Sequence, residues 1–130
     1  MYDEEQDFQV RQWTVGGTTV VELTGELDLC AGLRVTARLD AVTSGPRPDL
    51  VVDLRGVGFI DCSGLSVLVR ARTRTLDHGG RFGIVAGSPC VLRLLRLTGT
   101  LRVFTVHEDL ASALASPLVP DPPAADGAIA

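Results

Sequence analysis

The sequence predicts one α/β domain: a single mixed β-sheet that opens on an antiparallel hairpin, continues in parallel βα units and carries about four helices. Three observations predict it. Gly16-Gly17 separates two short segments of strand character, as a two-residue hairpin turn does. Two apolar runs, residues 50–54 and 82–86, are bounded by turn residues, and each is followed by a pattern of helical period. The length, 130 residues with 45% hydrophobic content, suits one domain with a real core.

In chain order, residues 1–7 are acidic and polar and read as a flexible N-terminus. Residues 8–15 and 18–24 form the two strands of the hairpin, with Gly25 ending the second. Asp28 is placed to cap a helix that runs to about residue 43. Leu29, Leu33, Ala37 and Ala41 give that helix an apolar stripe. Gly45-Pro46-Arg47-Pro48 stops it. Residues 50–54 are dense in apolar side chains, as a central strand is. A second helix follows Asp61-Cys62-Ser63-Gly64 and runs to about residue 76, with Leu65, Leu68, Val69 and Leu76 near one face. Residues 77–80 form its C-cap and turn, and residues 82–86 the next strand. Ser88-Pro89 starts a third helix and Gly99 stops it; its Leu-rich run 92–97 reads as packing, with an exposed partner patch as the alternative. Residues 102–105 read as the last strand. His107-Glu108-Asp109 opens a final helix that fades by about residue 115. The Pro- and Ala-rich residues 116–130 read as a disordered tail, which leaves residues 8–115 as the folded domain.

Composition excludes several functions. The net charge of −4 argues against a nucleic-acid binder that works through a broad basic surface. No apolar run approaches the roughly 20 residues of a membrane span, and the acidic start is unlike a secretory signal, so the expected location is cytoplasmic. Cys30, Cys62 and Cys90 are odd in number, far apart and not at zinc-ligand spacing from a histidine, so no metal is expected and the thiols read as buried or partly buried. No phosphate-binding or dinucleotide fingerprint occurs, so no cofactor is expected.

The stretch around which the chain is organised is residues 51–65. An apolar strand passes through Gly56 and Gly58 and ends on Asp61-Cys62-Ser63-Gly64, where a helix begins. A helix N-terminus carries unpaired N–H groups and partial positive charge. Ser63 there is either an ordinary N-cap or a hydroxyl at which phosphate is tolerated, and the residues alone leave both readings open.

Val52-Asp53-Leu54 followed by Phe59-Ile60-Asp61-Cys62-Ser63-Gly64-Leu65 resembles the phosphorylation segment of STAS domains, most nearly that of the anti-sigma-factor antagonists. Gly25-Glu26-Leu27-Asp28 resembles the acidic loop of the same family. The resemblance covers about residues 8–114 and implies a STAS-like fold. It implies an anti-sigma-factor antagonist that switches partners. The unphosphorylated form binds an anti-sigma factor, a serine-protein kinase with a GHKL-type ATP site, and so frees the sigma factor. Phosphorylation reverses binding, and a phosphatase resets the protein. It aligns Ser63 with the phosphoacceptor and places Glu26, Asp28, Asp61, Cys62, Ser63, Gly64 and Ser66 on the partner-binding surface. Cys62 stands where the family usually has a hydroxyl residue, and Ser66 where glycine is frequent. The resemblance implies neither catalysis by the domain itself nor binding of nucleic acid or membrane.

Two further readings stand beside this one. One is a STAS interaction module with a different partner, a phosphorelay or lipid-transport component. The other is a hydrolase using Ser63 or Cys62, which needs a base: His78 lies at the far end of the same helix, and His107 is not located by sequence.

Overall fold

Residues 8–115 are described in a computed structural model as five strands and four helices in the predicted β-β-α-β-α-β-α-β-α order. The strands are β1 (Gln9–Val15), β2 (Thr18–Leu27), β3 (Asp49–Ile60), β4 (Arg81–Val85) and β5 (Val106–His107). They lie side by side in sequence order; β1 and β2 are antiparallel and the other neighbours parallel. The helices are α1 (Leu29–Val42), α2 (Cys62–Asp77), α3 (Pro89–Leu97) and α4 (Leu110–Ala115). The predicted N-terminal segment 1–7 and tail 116–130 lie outside the described residues.

Strand alternation sorts the core into two layers. Leu23, Leu50, Val52 and Ile84 meet Val35 and Leu39 of α1, Leu68 and Ala71 of α2, and Val91 and Leu95 of α3. On the opposite sheet face, Val51 and Val85 meet Ala113 and Leu110 of α4. The first three helices thus share one side, which sets α1 and α2 next to each other over the sheet.

Five expectations are corrected. Gly25 does not end β2, which stays paired with β3 beyond it. The pair continues to Leu27 and Ile60, with register shifts at Thr24 and Gly25, so Gly25 and Gly56 mark bulges in a longer ladder. Gly25 has φ of +115°, and a Cβ at Gly56 would sit 3.0 Å from Thr24 Oγ1. Residues 102–105 do not form the last strand. Thr100–Arg102 is a 3-10 turn that lets Phe104 enter the core beside Phe82, with ring centroids 5.9 Å apart, and pairing begins only at Val106. His107 consequently ends β5, and the last helix begins after it; Asp109 caps that helix by accepting from the Ser112 N–H at 2.7 Å. On α1 the stripe Leu29, Leu33, Ala37 and Ala41 faces solvent, whereas Ala31, Gly32, Val35 and Leu39 are buried. On α2, Val69 is likewise exposed, its place on the buried face taken by Val67 and Ala71.

Polar contacts hold α1 to α2. Arg70 grips Asp40 with two bonds, Nε to Oδ1 at 3.0 Å and Nη2 to Oδ2 at 2.9 Å. Arg74 donates to the Asp40 carbonyl at 3.1 Å and to Thr43 Oγ1 at 3.0 Å. His78 donates from Nδ1 to the Thr43 carbonyl at 2.6 Å. The hydrogen bonds from Arg70, with its charge and that of Arg74, outweigh desolvation and hold the Asp40 carboxyl below its usual value. The folded pKa is therefore lower than the unfolded one. The contribution is complete above the unfolded value of about 4 and is lost as pH falls through the folded value. Asp40→Asn is expected to cost about 1 kcal/mol at neutral pH, modest because the pair is partly exposed. Urea unfolding checks this: the gap between variant and wild type closes on acidification, and a gap independent of pH contradicts the assignment.

Candidate partner-binding site

The site is built where the parallel pair β2–β3 ends. Leu27 and Ile60 form its last rung, and the Asp61 N–H still donates to the Leu27 carbonyl at 3.4 Å. The next residue on each chain is an aspartate, and each begins a helix. Asp28 Oδ1 accepts from the Ala31 N–H at 3.0 Å, and Asp61 Oδ1 accepts from the Gly64 N–H at 2.9 Å. Both residues have the extended backbone of an N-cap. Two helix N-termini and two carboxylates are thereby brought to the same edge of the sheet, the carboxyl edge of the parallel strands where α/β folds place their sites.

Asp61, not Ser63, is the N-cap of α2. Ser63 is the second residue inside the helix, because the Leu65 N–H already bonds the Asp61 carbonyl at 2.9 Å. Its hydroxyl is thus spared the capping task. It is half-buried and has no hydrogen-bond partner among the described residues. Ser66, one turn on, is exposed and donates to the Cys62 carbonyl at 3.0 Å.

Two close approaches fix the position of Ser63. A Cβ at Gly64 would clash with the Leu27 carbonyl oxygen, and would lie 2.8 Å from Leu27 Cγ and 3.0 Å from Ile60 Cγ1. The start of α2 therefore rests directly on the strand ends. A Cβ at Gly32 would lie 3.1 Å from Val67 Cγ2 and 4.0 Å from the Ser63 carbonyl oxygen. The start of α1 thus lies close against the Ser63 turn.

The arrangement gathers Asp28, Asp61, Cys62, Ser63, Gly64 and Ser66, with Glu26 exposed on the β2 end opposite Phe59. Gly64 is buried and serves as a spacer under the site rather than as surface. Cys30 and Cys62 are exposed and Cys90 is partly exposed, so the reading of the first two as buried thiols is corrected. They occupy the outer sides of helix starts, where the core does not reach.

Sequence reasoning missed an apolar component. Leu29 is 60% exposed and Leu33 69%, one turn apart on the outer side of α1, and Phe59 is also exposed at the strand end. Two exposed leucines one turn apart make this side of α1 a candidate docking surface. A leucine immediately after an N-cap was the available signal, but its spacing from Leu33 fits a core stripe equally well.

The histidines weighed as bases are remote. His78 caps the opposite end of α2. His107 lies level with Val85 and hence with Asp53, and β3 continues from there to Ile60, roughly 20 Å further along the strand.

The STAS domain profile matches residues 11–113. The chain belongs to the STAS domain family. This STAS domain is 28% identical over 99 residues to an anti-sigma F factor antagonist of Paenibacillus polymyxa, covering 75% of this chain and 85% of that one. It is 29% identical over 98 residues to the anti-sigma-F factor antagonist RsfB of Mycobacterium tuberculosis, covering 75% and 80%. Its fold superposes on the crystal structure of an anti-sigma factor antagonist from Mycobacterium paratuberculosis with a TM-score of 0.76 and 30% identity, over 82% of this chain and 91% of that one. Among the described residues of the STAS domain, no helix is long and apolar enough to cross a membrane.

Proposed function

We propose that this STAS domain is an anti-sigma-factor antagonist whose unphosphorylated form binds an anti-sigma factor and whose phosphorylation at Ser63 reverses binding. The partner is a serine-protein kinase of the GHKL type, a phosphatase resets the switch, and the exchange takes place in the cytoplasm. The domain is the substrate of that chemistry and performs none of its own. The observation that carries this reading is the position of Ser63. A hydroxyl with no hydrogen-bond partner among the described residues sits in the first turn of α2, which lies against the start of α1, the helix that carries exposed Leu29 and Leu33.

The surroundings support a switch at an interface. Phosphate adds about −1.5 to −2 charges at neutral pH. The arginines of the adjoining helix faces are occupied: Arg70 and Arg74 with Asp40, Arg38 with Gln12, and Arg34 over the Phe8 ring. The new charge gains no counter-ion from them and faces a docked partner unneutralised.

The test is incubation of the full chain with ATP and a GHKL-type serine kinase, read by intact mass and fragmentation. One phosphate on the peptide carrying Ser63 is expected, and none on Ser63→Ala. Phosphate confined to Ser66, or persisting in Ser63→Ala, overturns the assignment.

A further inference from the structure

We propose that the outer face of α3, with the 3-10 turn that follows it, is a second docking surface, for an acidic segment of a partner protein that also carries an apolar side chain. Cys90, Arg93 and Leu97 are spaced three and four residues apart, and Arg96 follows Arg93 by three, so the four lie on one side of the helix. That face points away from Val91 and Leu95, which enter the core. Leu97 is 73% exposed, the most exposed large apolar side chain described. Arg102 follows on the exposed turn.

These arginines are clustered on one surface and lack partners there among the described residues. Arg11, Arg55, Arg70, Arg74 and Arg81 all pair with carboxylates. Arg93, Arg96 and Arg102 have no ion pair, hydrogen bond or ring contact among the described residues. The chain also carries no Asp or Glu from residue 78 through residue 107. In a protein of net charge −4, a region of only positive charge is segregated from the rest. Arg96 suits the negative end of its own helix dipole, but that leaves Arg93, Arg102 and the exposed leucine without a structural task.

Charge and size select the occupant. A membrane or a nucleic-acid duplex is broader than the Debye length of about 8 Å at physiological salt and meets the whole anionic domain. A short acidic segment meets only the local patch. One exposed leucine is a small insertion for a bilayer, but it can pack against one apolar side chain of such a segment. This surface contains none of the residues of the Ser63 site, so the inference does not depend on the switch.

The test uses the full-length protein and a fluorescein-labelled peptide of repeated Glu-Glu-Leu units, followed by anisotropy. Saturable binding that weakens with salt is expected. The combined Arg93→Gln, Arg96→Gln, Arg102→Gln variant should bind about tenfold more weakly or worse, and Leu97→Ser about threefold. Arg47→Gln, which removes another arginine with no side-chain partner among the described residues, should leave the affinity unchanged. Circular dichroism confirms that each variant is folded. No peptide binding by the wild type, equal binding by the triple variant, or preferential binding to phosphatidylserine vesicles or duplex DNA overturns the proposal.

Discussion

Replacing Gly64 with alanine is expected to lower the unfolding free energy by about 3 kcal/mol or more, at the upper end of the cost of overpacking. Two effects compete. Alanine is the better helix former by about 1 kcal/mol, which favours the variant. Against that, the new methyl group meets the Leu27 carbonyl oxygen and lies 2.8 Å from Leu27 Cγ. A backbone oxygen in a paired strand has no rotamer by which to withdraw, so α2 itself must lift. The melting temperature should fall by about 10 °C or more. Gly58→Ala is the control, because no atom lies within 4 Å of its added Cβ. Its expected effect stays within about 1 kcal/mol. If the two variants melt together, the close approach at Gly64 does not hold the helix start in place. Lifting α2 would also displace Ser63 from Asp28, so Gly64→Ala should lose partner binding before it loses its fold.

Ser63→Glu is expected to weaken binding to the anti-sigma factor about tenfold or more while leaving the fold almost unchanged. The intramolecular terms oppose each other. The N-terminus of α2 favours an added negative charge by about 0.3–1 kcal/mol. Asp28 and Asp61 oppose it, a repulsion that solvent and salt screen at this partly exposed position. A partner surface fitted to a neutral hydroxyl must instead desolvate the charge with no arginine to meet it, and that cost appears only in the complex. Ser63→Ala should bind like the wild type. Leu29→Ser with Leu33→Ser should weaken binding by about 1–3 kcal/mol, whatever residue stands at 63. Titration calorimetry at two salt concentrations separates the causes: the effect of Ser63→Glu shrinks as salt rises, and that of the leucines does not. Wild-type affinity in Ser63→Glu would remove local charge as the basis of the switch.

Residues with a local task were legible in the sequence. Gly16 and Gly17 take positive φ in the hairpin turn, Asp28 caps α1, and Pro89 opens α3. Each follows from the backbone preferences of a few neighbouring residues. The short text around Ser63 likewise led to its position at a helix start. It did not separate the capping residue from the free hydroxyl, because both Asp61 and Ser63 are good caps and the difference lies in where the ladder ends.

The stripe on α1 shows where local reasoning stopped. Leu29, Leu33, Ala37 and Ala41 repeat every four residues, and so do Ala31, Val35 and Leu39. The two rows lie about 200° apart on the helix, and both are apolar. Only the packing of α1 over β2 and beside α2 selects the second row and leaves Leu29 and Leu33 in solvent. The extended β2–β3 pair is a similar case: a glycine that ends an isolated strand becomes a bulge when a partner strand continues beside it.

By itself, then, the sequence determined the order of elements, their caps and turns, and the hydroxyl on which the proposed switch rests, since these depend on short-range sterics and hydrogen bonding. The tertiary structure decided which sides of the helices are buried and how far the central strands run. It also decided that two aspartate-capped helix starts converge on one edge, with an exposed leucine pair on α1 and a basic face on α3 that has no ion pair among the described residues. Those outcomes depend on contacts between residues distant in the chain, and periodicity within one helix carries no information about which neighbour it will meet.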